Sequence, residues 1–330
     1  MKEIICTIIT GNYGHYALAL HDSLVKFNPN ITFSLLVTSD ELDIEIRNEC
    51  LRREIIVFYN NDFDDCPIAN QLKEKYNYNY HDAYRWGMKP VLLQKLLEDG
   101  FDKAIYVDSD IYFFNEYSFL FKELENCSLL LSPHWRCSDP IKNNLEFRHN
   151  FLDGIYNGGF IGASKGSEAA LEYWAKLCLF KCDVNRAEGY YVDQRYLDIL
   201  PTKFEGVRHI THKGCNVSNW NIIECKRVLQ TDGNVLINNY YPIVFMHFTN
   251  SLLKGAYLWK NDVELITYIE KYRNNILQYS KNDIIEEFLQ KGIHAKSRSE
   301  VATNTKKKSF LRRLAWFIHK YIKQLKRKLF

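Results

Sequence analysis

Residues 104–114 read Ala104-Ile105-Tyr106-Val107-Asp108-Ser109-Asp110-Ile111-Tyr112-Phe113-Phe114. A short apolar run ends in two carboxylates two positions apart, and a second aromatic-aliphatic run follows. Ala104–Val107 therefore reads as a buried strand. In an extended chain, side chains two apart share a face, so Asp108 and Asp110 are expected to point the same way. Two acids among apolar neighbours are costly unless a cation neutralises them. Hard divalent cations such as Mg2+ and Mn2+ favour oxygen ligands, commonly one or two carboxylates together with substrate phosphates. A solvated loop end is the plainer account, since a bare D-x-D is common by chance.

Outward from that stretch, β-branched apolar runs alternate with helical periods. Ile4–Thr10, Ile31–Thr38 and Ile55–Tyr59 read as strands; His15–Phe27, Glu41–Arg53 and Tyr84–Glu98 read as helices, with Pro90 awkward inside the last. Such alternation implies an α/β fold whose parallel sheet is wound with crossover helices. Ligands of these sheets bind beyond the carboxyl ends of the strands. Two places qualify: Thr10-Gly11-Asn12-Tyr13 after the first strand and Asp108-Ser109-Asp110 after the fourth. From residue 129 the pattern is mixed, with short strands at Leu129–Ser132, Phe160–Gly162 and Ile243–His247 and a helix at Ser167–Phe180. Residues 262–292 read as helical.

The run Ile243–His247 brings in a histidine, with Lys254 seven residues on. A histidine leaving a buried strand is commonly a hydrogen-bonded core residue. Here it can also complete a D-x-D…H ligand set, because neutral imidazole suits Mn2+. Lys254 could then meet a phosphate as a point charge.

Composition narrows the classes. The 330 residues are 46% hydrophobic, 25% charged and 15% aromatic, which fits an ordinary folded protein with ring-lined clefts. Nine scattered cysteines form no zinc-like quartet and read as reduced thiols of a cytoplasmic protein. The net charge of +3 is uneven: residues 306–330 hold ten Lys/Arg and no acid, and the rest carries 33 basic against 40 acidic residues. An acidic body argues against a nucleic-acid-binding domain. In the tail, Phe310, Leu314, Phe317, Tyr321 and Leu325 recur at helical spacing opposite Arg312, Arg313, Lys320, Lys323 and Arg327. That pattern suits the interface of an anionic membrane, and peripheral attachment to the cytoplasmic face of an inner membrane is expected.

Several short pieces then fall into one order: TGNY at 10–13, Lys89-Pro90, YVDSD at 106–110, IYNGGFIG at 155–162, YVDQR at 191–195 and HF…KG at 247–255. In that order the chain resembles GT-A-fold, nucleotide-sugar-dependent glycosyltransferases. It is most similar to the retaining branch that includes glycogenin and bacterial lipopolysaccharide galactosyl- and glucosyltransferases. The resemblance implies a Rossmann-like GT-A domain over residues 1–260; composition and pattern add a helical extension over 261–296, a linker over 297–305 and the basic helix 306–330. It implies transfer of a hexose from a UDP-sugar to a saccharide or lipid-linked saccharide acceptor, with retention, in surface polysaccharide or lipopolysaccharide synthesis.

Carried over to this sequence, it implies that Thr10, Asn12 and Tyr13 contact the nucleoside and that Lys89, or Arg85 as its rival, meets the donor phosphate. Asp108, Asp110 and His247 would hold Mn2+ or Mg2+, with Ser109 between the acids in the donor site. Asn157, Gly158 and His134 would line the sugar pocket. Asp193 and Gln194 would lie on its reacting face, and Lys254 would meet the leaving diphosphate. Two departures stand out: Lys254-Gly255-Ala256 replaces the usual K-P-W, and His134 sits where relatives often place an acid. Plainer readings stand beside these. Asn157-Gly158-Gly159 is also a candidate turn needing φ > 0, Asp193 a candidate helix cap, and Trp220-Asn221 a candidate acceptor or donor loop. A non-catalytic saccharide-binding protein and a sugar-phosphate nucleotidylyltransferase are the alternative functions.

Overall fold

The computed structural model describes residues 1–39, 41–76, 81–280, 283 and 286. The linker at 297–305, the basic tail at 306–330 and most of 281–296 lie outside the described residues. Met1–Lys281 forms one compact unit.

The chain opens with β1 (Glu3–Ile9), α1 (Gly14–Val25), β2 (Thr32–Val37), α2 (Ile44–Arg52), β3 (Ile56–Tyr59), α3 (Pro67–Tyr76), α4 (His81–Glu98) and β4 (Lys103–Val107). It continues through β5 (Ile111–Phe113), α5 (Ser118–Glu123), β6 (Leu129–Pro133), α6 (Asn144–Leu152), β7 (Tyr156–Ser164) and α7 (Glu168–Phe180). A ribbon of β8 (Val184–Asn185) and β9 (Tyr190–Tyr191) precedes α8 (Leu200–Lys203) and β10 (Val207–His209). A small antiparallel sheet of β11 (Arg227–Leu229), β12 (Val235–Ile237) and β13 (Tyr241–Pro242) follows, then β14 (Phe245–His247), α9 (Asn250–Lys254) and α10 (Ile266–Ile276).

The main sheet has the order β10-β6-β7-β4-β1-β2-β3. Its first four strands in sequence are mutually parallel, as their helical crossovers require. β7 runs antiparallel to both β4 and β6, so the sheet is mixed. Both faces are covered, which is why β1 is apolar at nearly every position. Ile4, Cys6 and Ile8 pack with α3, α4 and α7; Ile5 and Ile9 pack with α1 and α2. Trp174 on α7 is fully buried, a contribution of about 2 kcal/mol or more.

Two of the unexpected elements are helices α3 and α6, while the expected α4 holds through its proline. α3 lies where no element was expected, although Ala69, Leu72 and Tyr76 bury one face at helical spacing. α6 buries no residue, so it has no apolar period to read; Asn143 caps it by accepting from the Glu146 amide. α4 runs through Pro90 for 18 residues, forgoing the hydrogen bond that Pro cannot donate.

Candidate active site at the carboxyl ends of β1 and β4

β4 ends at Val107, and Asp108 begins a turn closed by the Ile111 amide on the Asp108 carbonyl at 3.0 Å. The two acids therefore sit in a turn and not in extended chain, correcting the expectation that strand alternation aligns them. They converge for a different reason. β14 pairs antiparallel with β5, His247 opposite Ile111, and the Phe248 amide donates to the Asp110 carbonyl at 2.8 Å. His247 Nε2 lies 3.0 Å from Asp110 Oδ1 and 3.8 Å from Asp108 Oδ2. One ligand atom from each of the three residues lies within 4.8 Å of the other two.

Space for that cluster comes from β7. A Cβ on Gly159 would stand 2.5 Å from His247 Cε1 and 2.9 Å from Asp108 Oδ2; one on Gly158 would stand 2.9 Å from Asp193 Oδ2. Asn157-Gly158-Gly159 is strand and neither glycine has a positive φ, so the turn reading is overturned. Both glycines serve close approach instead. Two carboxylates and an imidazole around a glycine-lined gap fit a divalent cation of the Mn2+ or Mg2+ class.

Charge around the gap is nearly balanced. Lys89, on α4 and buried, places Nζ 3.2 Å from Asp108 and 3.1 Å from Asp193, and donates to the Gly158 carbonyl at 2.9 Å. Burial opposes charge on Asp108, but Lys89, His247, the Tyr106 hydroxyl and Arg85 outweigh it and lower its pKa. Tyr106 donates to Asp108 Oδ1 at 2.6 Å. For Asp193 burial wins over Lys89, and its pKa is raised. Burial disfavours the His247 cation, yet Asp110 and Asp108 raise its pKa. Arg85 stands near the same acids: burial opposes its charge, while Tyr106, Asp108, Asp82 and Asp110 sustain it.

The remaining expected residues gather around this centre in part. Thr10 leads into a 3-10 turn over Gly11–Tyr13, whose Tyr13 ring is 44% exposed and stacked on Tyr16 at 5.5 Å. Burial chiefly, then Asp110, raises the Tyr16 phenol, which places this turn beside the acids. Ser109 is buried between them. Asp193 caps nothing with its side chain, which goes to Lys89 instead. Gln194 Oε1 accepts from the Gly158 amide at 3.3 Å. Asn157 Oδ1 accepts from the Gly159 amide at 2.9 Å, and its Nδ2 lies 3.2 Å from His134 Nε2. Lys254 ends α9.

Sequence reasoning missed Tyr106, Gly159, Ser218 and Asp153. Tyr106 was legible as a residue two before Asp108. Ser218 donates to the His247 carbonyl at 2.8 Å across a long loop, a contact with no local signal. Trp220 is buried edge-on against both His134 and His247 at 5.2 and 5.3 Å, while Asn221 bonds within its own turn. The Trp therefore borders the site and the Asn holds the loop. All nine cysteines are free, and among the described residues no helix is long and apolar enough to cross a membrane.

No protein-family model matches the chain. Two proteins of Bacillus subtilis (strain 168) are similar to it. Uncharacterized protein YfnF is 27% identical over 263 residues, 76% of this chain and 82% of the relative. Uncharacterized protein YfnD is 33% identical over 189 residues, 55% of this chain and 58% of the relative. Among solved structures, mouse xyloside xylosyltransferase 1 in its apo form is 14% identical with a TM-score of 0.47, covering 76% of this chain and 99% of that one. The galactosyltransferase LgtC with donor and acceptor sugar analogs is 17% identical with a TM-score of 0.46, covering 83% of this chain and 99% of that one. At such identities the role of each residue has to be argued from its own surroundings.

Proposed function

We propose that this protein is a metal-dependent glycosyltransferase that moves a hexose from a UDP-sugar to a saccharide acceptor. What carries the reading is the convergence of Asp108, Asp110 and His247, with Lys89 and Asp193 beside them, at the carboxyl end of β4. A doubly covered α/β sheet binds ligands at that end. A cation held by the three side chains would neutralise charge on a departing UDP diphosphate.

The chain's own residues supply the rest. Tyr13 offers an exposed ring to a base at the end of β1, with Thr10 and Asn12 in the same turn. Arg85 and Lys254 are cations for the diphosphate. Lys89, only 2% exposed, acts by keeping Asp108 ionised and not by reaching solvent. Asn157, Gly158 and His134 line the sugar pocket, and Gln194 faces it through Gly158. Asp193 is 1% exposed and paired with Lys89, a poor position for a nucleophile. Front-face transfer with retention, the leaving phosphate taking the acceptor's proton, is therefore preferred over a covalent intermediate. We place the acceptor among surface polysaccharides or lipopolysaccharides at the cytoplasmic face of a membrane, with the basic tail as tether.

The test is UDP release from a panel of UDP-sugars with and without Mn2+. Release should require Mn2+, stop with EDTA, and be lost in Asp110→Asn while the melting temperature changes little. Full activity after EDTA treatment, or turnover of no UDP-sugar, would overturn the proposal.

A further inference from the structure

One turn holds two side chains of the sugar pocket. The Asp153 carbonyl accepts from Gln194 Nε2 at 2.8 Å. The next carbonyl, of Gly154, lies 3.0 Å from His134 Nδ1. A carbonyl can only accept, so Nδ1 carries the proton of His134. Burial, with Arg136 adding, drives the pKa of His134 well below the usual value, so the ring is neutral and Nε2 is an acceptor. That nitrogen takes the Asn157 Nδ2 hydrogen, and Asn157 Oδ1 in turn takes the Gly159 amide. Nδ1 also lies 3.3 Å from the Ile155 carbonyl, so the orientations of Gln194, His134 and Asn157 depend on where three successive carbonyls, of Asp153, Gly154 and Ile155, point.

The turn is anchored by charge. The Asp153 carboxylate, about 5% exposed, receives Arg136 Nη2 at 3.1 Å, Arg186 Nε at 2.6 Å and His149 Nδ1 at 2.8 Å. Those three side chains come from the loop after β6, the β8–β9 ribbon and α6. Gly154 has φ of +106°, which a side chain would strain, and Asp198 accepts from the Ile155 amide at 3.0 Å on the other side. Asp153 is itself the C-cap of α6, and His149 reaches it from one turn back, so the carboxylate also joins the end of that helix to the loop of Arg136 and the ribbon of Arg186. None of the metal-cluster residues touches Asp153 directly.

We propose that Asp153 is a positioning residue: its carboxylate clamps the Asp153–Gly154 turn, which fixes Gln194 and His134 in the orientation that transfer requires. In its catalytic half the proposal rests on the sugar-transfer reading; in its structural half it does not. A clamp of this kind acts on the geometry of the reacting face more than on diphosphate binding, so it should appear in kcat.

Two measurements on the full-length protein test this. The first is proton NMR of the protein labelled with nitrogen-15 in its ten histidines, without metal or nucleotide, assigned with His134→Gln. The His134 Nδ1 proton should be slowly exchanging in the native protein, and in Asp153→Asn it should shift and exchange rapidly. The second is steady-state kinetics, where Asp153→Asn should lower kcat about tenfold or more and leave KM for the UDP-sugar within about twofold. Arg186→Gln removes one of the two arginine partners from a half-exposed position; it should show the same effects more weakly and serves if Asp153→Asn does not fold. An unchanged His134 resonance, or unchanged kcat, in a folded variant overturns the proposal. Absence of any UDP-sugar turnover in the native protein overturns its catalytic half together with the functional reading, while the NMR result decides the structural half separately.

Discussion

Gly159 shows how a missing side chain can make a site. Its α-carbon faces the gap between His247 and Asp108, and an added methyl would press on both. Neither neighbour can retreat easily, because His247 is held by pairing with β5 and Asp108 by Tyr106 and Lys89. Gly159→Ala should weaken Mn2+ binding by about tenfold or more while the protein stays folded, as titration calorimetry beside thermal melting would show. A more distant residue contributes to acid sensitivity, as does His15, whose pKa burial likewise lowers to about 4. Burial first, then Arg53, lowers the pKa of His21 from its usual 6.5 to about 4. Between those values the unfolded chain binds a proton that the folded chain does not. Stability is therefore full above pH 6.5 and declines as pH falls towards 4, by about 3 kcal/mol from this group. Denaturant titrations across that range should show the decline, and His21→Gln should lessen it.

Among elements, legibility followed amphipathic period and buried length. β1, β2, β4, α1 and α7 were readable because apolar runs or helical spacing marked them. β14 was readable as an apolar strand, but its partner was not: nothing local in Phe245–His247 says that it pairs with Ile111–Phe113. The metal set was legible by residue type, and its geometry was not, since the acids converge through a turn and a distant strand. α6 escaped because a helix lying on the surface has no buried stripe to reveal it. Caps at Asn143 and Asp43 went unread, and the one expected, at Asp193, is absent. Asp43 caps α2, its carboxylate accepting from the Glu45 and Ile46 amides at 2.8 and 3.3 Å. Asp43→Ala should cost about 1 kcal/mol in a denaturant titration without altering the active site.

For the molecule as a whole, the described body and the basic tail pose separate questions. In the sequence, the tail's ten basic residues and its apolar residues at helical spacing form a cationic amphipathic pattern. Truncation after Thr305 should release the protein from liposomes rich in anionic lipid and leave UDP-sugar hydrolysis intact, measured by co-sedimentation and UDP release. Full-length protein that stays in the supernatant at low salt would remove the tether from the proposal. Within the body, the pairing of β14 with β5 joins distant parts of the chain. The neighbouring bond from Asn115 to the Ile243 carbonyl spans 128 positions. Closing so long a loop is an entropic burden that local structure cannot relieve. The candidate cation site is consequently absent from any nascent chain that has not yet reached His247, however well its first strands have formed. Bound metal would then lend its free energy to that late closure, and recovery of Mn2+ affinity during refolding would time the arrival of the final strand.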